Sequence, residues 1–348
     1  MYITRLDLKN FKSHKENYID FKDITLLTGL NGAGKSSIFQ SLRMLWKLLY
    51  EGDLVLNEYG ELQMLKNIHA RENFFIMNLK YLEKEDLEVK VHFKEEGPYI
   101  LHQGDQPFKT KNIHFIYLSA NRLGPTEFQH IRNSKTSLYN SVGINGEFTL
   151  DILSKFGEQL LPDSFKEDVE KQNTISNHVE KLLQEISPNI KLQTELHKKM
   201  NVATFSINGY TPYNVGFGVS YTLSILVQLI YSIHLFDKHK IKSVILIENP
   251  EAHLHPRGQT KLAEFISKIT NFGIQVIIET HSDYILDGLR LAVKDKLIKK
   301  EKTQLHYFEL DENLNTKILS PKIGDDGYLD KWPENFFDTS LNNKMRLM

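Results

Sequence analysis

Residues 28–37 read TGLNGAGKSS. Gly29, Gly32, Gly34, Lys35 and Ser36 fit the pattern G-x-x-x-x-G-K-[ST], in which glycines let backbone N–H groups turn inward around phosphates. In such a loop the lysine reaches the β- and γ-phosphates and the serine hydroxyl binds Mg2+. The flanks agree with this reading. DITLLTG (residues 23–29) is a short apolar run ending at glycine, and Ile38, Leu42, Leu45 and Leu49 recur at helical spacing behind the loop. A helix starting there aims its positive end at an anion. Asn31, Gly32, Ala33, Gly34, Lys35, Ser36 and Ser37 are therefore the expected contacts for ATP, with Ser36 an expected Mg2+ ligand.

Composition narrows the class. The 348 residues suffice for a large domain or two lobes. A net charge of -1, from 43 Lys+Arg and 44 Asp+Glu, argues against a positive coat for nucleic acid. A local basic run such as KDKLIKKEK (294–302) leaves DNA possible, though it reads equally as a solvated helix face. With no cysteine, disulfides, thiolate zinc sites and cysteine nucleophiles are excluded. The N-terminal MYITRLDLKNFKSHK has no apolar core of the signal-peptide kind. The most apolar stretch, Leu223–Phe236, is interrupted by Ser224, Gln228, Ser232 and His234. It falls short of the roughly 20 residues a membrane span needs and reads as a buried helix of a cytoplasmic protein without membrane contact.

The chain opens in β pattern, with ITRLDLKNF (3–11) alternating apolar and polar residues. Residues 60–118 mix apolar runs with turns such as EEGPY and QGDQP, which predicts an antiparallel sheet of hairpins. Residues 125–200 are polar and mostly helical in pattern; Ile175, Val179, Leu182 and Ile186 line one helix face, stopped by Ser187-Pro188-Asn189. No sustained heptads are present, so no long coiled coil is expected. From Asn201 the pattern becomes α/β: VATFSING is strand-like, SVILIE and IQVIIE are central-strand runs, and Leu262, Phe265, Ile266 and Ile269 mark a helix between them. Ile285, Leu289, Ala292 and Leu297 mark another, and QLHYFELDENLNTKIL reads as a hairpin. The expected divisions are an N-terminal lobe (1–124), a helical insert (125–200), a C-terminal lobe (201–320) and a cap (321–348).

SVILIENPEAHLHP places Glu248 at a strand end, where a carboxylate can hold Mg2+. The next residue, Asn249, orients a water but cannot accept a proton; Glu251 then supplies the carboxylate that would polarise the attacking water. Two other readings stand beside this one. Glu248 ends a strand and EAHLHP is a plain loop, or Glu251, His253 and His255 converge on zinc. QVIIETHSD puts His281 at the end of the next strand, where it would face the ligand crevice of an open parallel sheet. Its alternative is a turn histidine, with Ser282 or Asp283 capping the next helix.

These motifs, in this order, resemble the ABC-type ATPase heads of the SMC, RecF and OLD group. ENPEAHLHP with ETHSD, together with YLSANRLGPTE (117–127), resembles the OLD-like branch most. The resemblance implies an α/β fold: a P-loop ABC-type ATPase head with a mixed central sheet, a flanking antiparallel β-subdomain and a helical insert. It implies that the turn at Phe11 and Lys12 lies near adenine and ribose. It also implies that Gly216, Gly218 and Ser220, in NVGFGVSYTLSIL, form a signature touching the γ-phosphate held by a second subunit. The segment lacks LSGGQ, and a plain buried-helix start is the alternative. GDDGYLDKWPENFFD resembles a small cap, which Trp332, Phe336 and Phe337 are expected to pack down. OLD nucleases carry a nuclease domain after the ATPase, and none is expected within these 348 residues.

The implied activity is ATP hydrolysis with Mg2+ by a homodimeric switch. Glu248, Asn249, Glu251 and His281 would be its catalytic residues, and an effector such as a nuclease or toxin in prokaryotic antiviral defence its partner. A nucleotide-binding scaffold with little hydrolysis and a RecF-like DNA-repair ATPase are the alternatives.

Overall fold

The computed structural model describes residues 2–81, 85–104, 112–132, 139–165, 172–214, 216–333 and 345–347. In chain order these form β1 (Ile3–Phe11), β2 (His14–Asp20), β3 (Ile24–Gly29), α1 (Lys35–Glu51), β4 (Phe74–Tyr81), β5 (Glu85–Lys94) and β6 (Gly97–Gly104). There follow β7 (Ile113–Leu118), β8 (Gln129–His130), α2 (Thr149–Phe156), α3 (Ile175–Ile186), β9 (Leu192–His197), β10 (Val202–Ile207) and α4 (Phe217–His239). The last are β11 (Lys242–Glu248), α5 (Pro256–Ile269), β12 (Ile274–Glu279), α6 (Asp283–Lys294), β13 (Thr303–Leu310) and β14 (Thr316–Leu319).

The chain divides into two compact units: residues 1–111 with 298–348, and residues 112–297. These limits differ from the four expected divisions. The C-terminal hairpin joins the N-terminal unit because β13 pairs in parallel with β3, from Thr303 opposite Ile24 to Phe308 opposite Gly29. Pairing across so long a separation leaves no local signal.

In the first unit β3 is buried on both faces, which is why ITLLTG reads as a continuous apolar run rather than an alternating one. β14 pairs antiparallel with β13. A second, antiparallel sheet runs β2-β1-β4-β5-β6. Its strands alternate, as in β4, whose Phe75, Met77, Leu79 and Tyr81 are buried. α1 lies against β3 and β4, with the expected stripe Ile38, Leu42, Leu45 and Leu49 buried.

In the second unit β12, β11 and β7 lie side by side, all parallel. β7 corrects the expectation for residues 113–118, which do not continue the antiparallel hairpins. IHFIYL is buried at alternate positions and pairs with β11, a partner about 130 residues away. The expected helical insert holds α2 and α3, but also β8 and β9, which flank β10 in a small antiparallel sheet, β8-β10-β9. β9, LQTELH, is exposed along almost its whole length. A strand with no apolar face shows no period of 2, so the sequence pattern missed it.

α4 runs 23 residues, longer than the stretch read from the sequence. By length and composition it could cross a membrane, but 83% of its most apolar window is buried within the protein. It packs on α2, α3 and α5, which accounts for apolar residues on every side. Of the expected packing anchors of the cap, Trp332 is 47% exposed, and Phe336 and Phe337 lie outside the described residues.

Candidate functional site

The first unit holds the glycine loop. Gly29, Gly32 and Gly34 have φ of 133°, 74° and 100°, a region that glycine enters without a Cβ penalty. At Gly29 a Cβ would fall 2.1 Å from the carbonyl oxygen of Phe308, so only glycine lets β3 meet β13 here. At Gly32 a Cβ would meet nothing within 4 Å, and the loop is open on that side. α1 begins at Lys35 with no side-chain cap and no acidic residue in its first turn, which suits its leading amides to an anion. Lys35 is buried, and its Nζ donates to the carbonyls of Gly29 (3.0 Å) and Leu30 (2.8 Å), folded into the loop itself. Ser36 and Ser37 stand on the first turn of α1 beside it. This cradle of left-handed glycines, uncapped amides and one ammonium fits a polyphosphate and its magnesium ion.

The back of the loop is held by residues the sequence reading did not assign. Thr316 Oγ1 donates to the Ala33 carbonyl at 2.9 Å, and its hydroxyl pairs with that of Ser13 at 2.7 Å. His14 Nε2 meets the Gly34 carbonyl at 3.0 Å, and burial lowers the pKa of this histidine. Thr316 carries no local signal, because its partner lies 283 residues earlier.

Phe11 and Lys12 part company. Phe11 is fully buried, edge-on to Phe75 with ring centroids 5.3 Å apart, and offers no surface to adenine or ribose. Lys12 adopts φ 51° in the turn, and its Nζ donates to Gln40 on α1 at 2.9 Å; burial lowers its pKa.

The second unit holds the strand ends. Glu248 and Glu279 close β11 and β12 in register. Glu248 Oε2 accepts the Ala120 amide at 3.0 Å. Arg122 is 2% exposed. Its Nη1 donates to the carbonyls of Ser119 and Glu248 and its Nη2 to that of Asn249, each at 2.7 Å. Burial pulls the Arg122 pKa down to about 10, with Glu251 pulling the other way. Asn249 sits at φ 43°, left-handed backbone that asparagine tolerates better than glutamate, which supplies a conformational reason for the residue found there. Its Oδ1 is buried and accepts no hydrogen bond among the described residues. Glu251 Oε1 accepts the His281 amide at 2.8 Å, and Thr280 also bonds the carboxylate. Glu251 Oε2 is buried and accepts none among the described residues, and burial raises the carboxyl's pKa. The structure therefore brings Glu248, Asn249, Glu251 and the His281 backbone together, while the His281 ring is exposed.

The signature segment reaches the same cluster. Gly216 is the N-cap of α4, Ser220 lies half-buried in its first turn, and Val215 lies outside the described residues. A Cβ on Gly218 would fall 2.5 Å from the His253 carbonyl. The His253 ring packs on Phe217 and Tyr221 at 5.6 and 4.9 Å, and Arg122 lies over the Tyr221 ring at 5.5 Å. The zinc reading is corrected. His253 is spent on aromatic packing, His255 caps α5 through the Arg257 amide, and Glu251 ties down the segment that follows β12. No cluster of three metal-binding side chains occurs among the described residues.

The profile of the AAA ATPase domain family matches residues 1–141 and 126–286. Residues 298–347 match a family described as a protein of unknown function (DUF3696). A curated relative, the DNA double-strand break repair Rad50 ATPase of Methanococcus maripaludis, is 24% identical over 221 residues. That alignment covers 57% of this chain and 22% of the relative, so the chain corresponds to about a fifth of it. An SMC head bound to the C-winged helix domain of ScpA superposes with a TM-score of 0.57 at 15% identity, covering 93% of this chain and 98% of that one. An SMC head with an extended coiled coil, bound to the C-terminal domain of ScpA and derived from Pyrococcus furiosus, gives 0.54 at 12% identity, with 99% of each chain covered. The expected head fold is the one observed.

Proposed function

The chain belongs to the AAA ATPase domain family, and from that premise we propose that it binds Mg-ATP, hydrolyses it, and works as a nucleotide-gated pair of heads. The observation that carries the proposal is the phosphate cradle of the first unit, with Lys35 folded against the carbonyls of Gly29 and Leu30 at the uncapped start of α1. Lys35 and the amides of residues 31–37 take the phosphates, and Ser36 with Glu248 takes Mg2+. The bound ion neutralises charge on the β- and γ-phosphates. Asn249 Oδ1 and Glu251 Oε2, buried acceptors with spare capacity, orient the attacking water. Burial brings the Glu251 carboxyl nearer the range of a general base, and His281 reads the γ-phosphate. Gly216, Gly218 and Ser220 of each head close on the nucleotide of the other, and a partner protein reads the difference between ATP and ADP states. The ScpA domains carried by the SMC heads of similar fold support a partner-binding role.

Phosphate release by the purified chain, beside Lys35→Ala and Glu251→Gln, tests the proposal. Turnover by wild type and none by either variant is expected. Nucleotide binding without phosphate release would instead support a scaffold, a reading that Asn249 favours because no carboxylate directly follows Glu248. The Rad50 relative favours DNA repair as the process served, and DNA binding that falls steeply with added salt would bear that out.

A further inference from the structure

We infer that Thr316 is a positioning residue for the phosphate loop, so that the C-terminal hairpin is a working part of the nucleotide cradle. The inference rests on the nucleotide reading above and adds a role for residues 298–347, which match a family of unknown function. All the groups involved lie in the first unit.

A trans peptide points its C=O and the following N–H in opposite directions. The Ala33 carbonyl is drawn to the Thr316 hydroxyl, so the Gly34 N–H turns away from β14. The Gly34 carbonyl faces His14 Nε2, so the Lys35 N–H turns away from β2. Two consecutive amides are thereby aimed to the side opposite their anchors, as an oxyanion requires. A side chain on Gly34 would collide with all three anchors: its Cβ would lie 2.5 Å from Thr316 Oγ1, 2.8 Å from His14 Nε2 and 2.9 Å from Ser13 Oγ.

Thr316 is itself fixed. It is buried, its amide donates to the Ser13 carbonyl at 2.8 Å, and its hydroxyl, committed as a donor to Ala33, accepts from Ser13. The turn ahead of it is set by Asp311, whose Oδ1 accepts the amides of Asn313 (2.9 Å) and Asn315 (2.8 Å). The Asp311 amide in turn donates to the Asn315 carbonyl. A hydroxyl at the first position of β14 therefore reaches the loop from a frame with little slack.

The test is equilibrium binding of Mg-ATP and Mg-ADP to the full chain, well below its melting temperature, for wild type, Thr316→Val, Thr316→Ser and the same-strand control Lys317→Ala. One lost hydrogen bond that orients the loop predicts about 5- to 10-fold weaker binding of both nucleotides by Thr316→Val. Thr316→Ser and Lys317→Ala are expected within about twofold of wild type on the same scale. Ser13→Ala, which leaves Thr316 in place with its hydroxyl unsupported, moves affinity the same way by a smaller factor and decides the matter if Thr316→Val does not fold. A merely structural Thr316 would lower the melting temperature and leave the Kd of the folded protein alone. Wild-type Kd values in Thr316→Val, or in Ser13→Ala where the valine variant does not fold, overturn the inference while the nucleotide reading stands. A wild-type chain that binds neither nucleotide overturns both.

Discussion

Replacing Arg122 by methionine removes one guanidinium that three backbone carbonyls share, those of Ser119, Glu248 and Asn249. Methionine keeps most of the stem volume, so packing loss is small. Each buried carbonyl stripped of its donor costs about 1–3 kcal/mol, a gross loss of about 3–9 kcal/mol. Against this, the variant no longer holds a desolvated cation. The fall of the Arg122 pKa to about 10 corresponds to about 3 kcal/mol of unfavourable charging, which methionine recovers. The balance is a destabilisation of about 3 kcal/mol. Arg122→Lys is expected between the two, because a compact ammonium cannot serve carbonyls spread around a planar fork. Urea denaturation followed by circular dichroism measures the differences. Arg122→Met within about 0.5 kcal/mol of wild type would show that the strand ends are held by something other than this guanidinium.

Gly29→Ala is expected to abolish soluble expression or to lower stability by more than about 4 kcal/mol, since β13 would have to leave β3, whereas Gly32→Ala, with open space around its Cβ, costs only about 1–2 kcal/mol for its left-handed backbone. Thermal melts that rank the two equally would contradict the close approach at Phe308. Gly218→Ala, pressed against the His253 carbonyl, should lower stability by about 1–3 kcal/mol, while Gly216→Ala, with nothing within 4 Å, should stay within about 0.5 kcal/mol. His114 is buried and its pKa falls to about 4. Above its ordinary value both folded and unfolded chains hold it neutral; as pH drops toward 4 only the unfolded chain takes up the proton, so stability is lost over that window. His114→Leu should therefore remove about 3 kcal/mol of the loss between pH 7.5 and 4, read as the change in its difference from wild type at the two pH values.

The parts legible in the sequence were those whose cause is local. The glycine loop, the stripe of α1, the twice-buried strands β3, β11 and β12, and the Ser282 cap of α6 follow from neighbours within a few residues. What escaped was set by distant partners. β7 turned parallel because β11 takes it up, and β9 is too polar for an apolar alternation to betray it. Phe11 ends β1 beside a turn that the resemblance places near the base, yet Phe75 claims its ring for the core. At Asn249 the sequence suggested a missing carboxylate, whereas the structure shows left-handed backbone that favours asparagine. Glu251 was legible as an acid beside the strand end, but not as the tie that grips the His281 amide. Arg122 lay inside YLSANRLGPTE, a segment noted for its resemblance without a role for the arginine, because its acceptors are main-chain atoms with no sequence signature.

The pairing of β3 with β13 also carries a consequence in time. Lys35 leaves the ribosome roughly 270 residues before Thr303, and at about 5–20 residues per second the interval is about 15–50 s. Throughout it Gly29 lacks the Phe308 backbone and Ala33 lacks the Thr316 hydroxyl. The growing chain therefore leaves the edge of β3 that β13 takes, in the buried strand ITLLTG, unpaired while the residues of 112–297 are being made. The glycine loop is therefore completed only once β13 and β14 have emerged, and a chaperone that shields β3 would be needed until then.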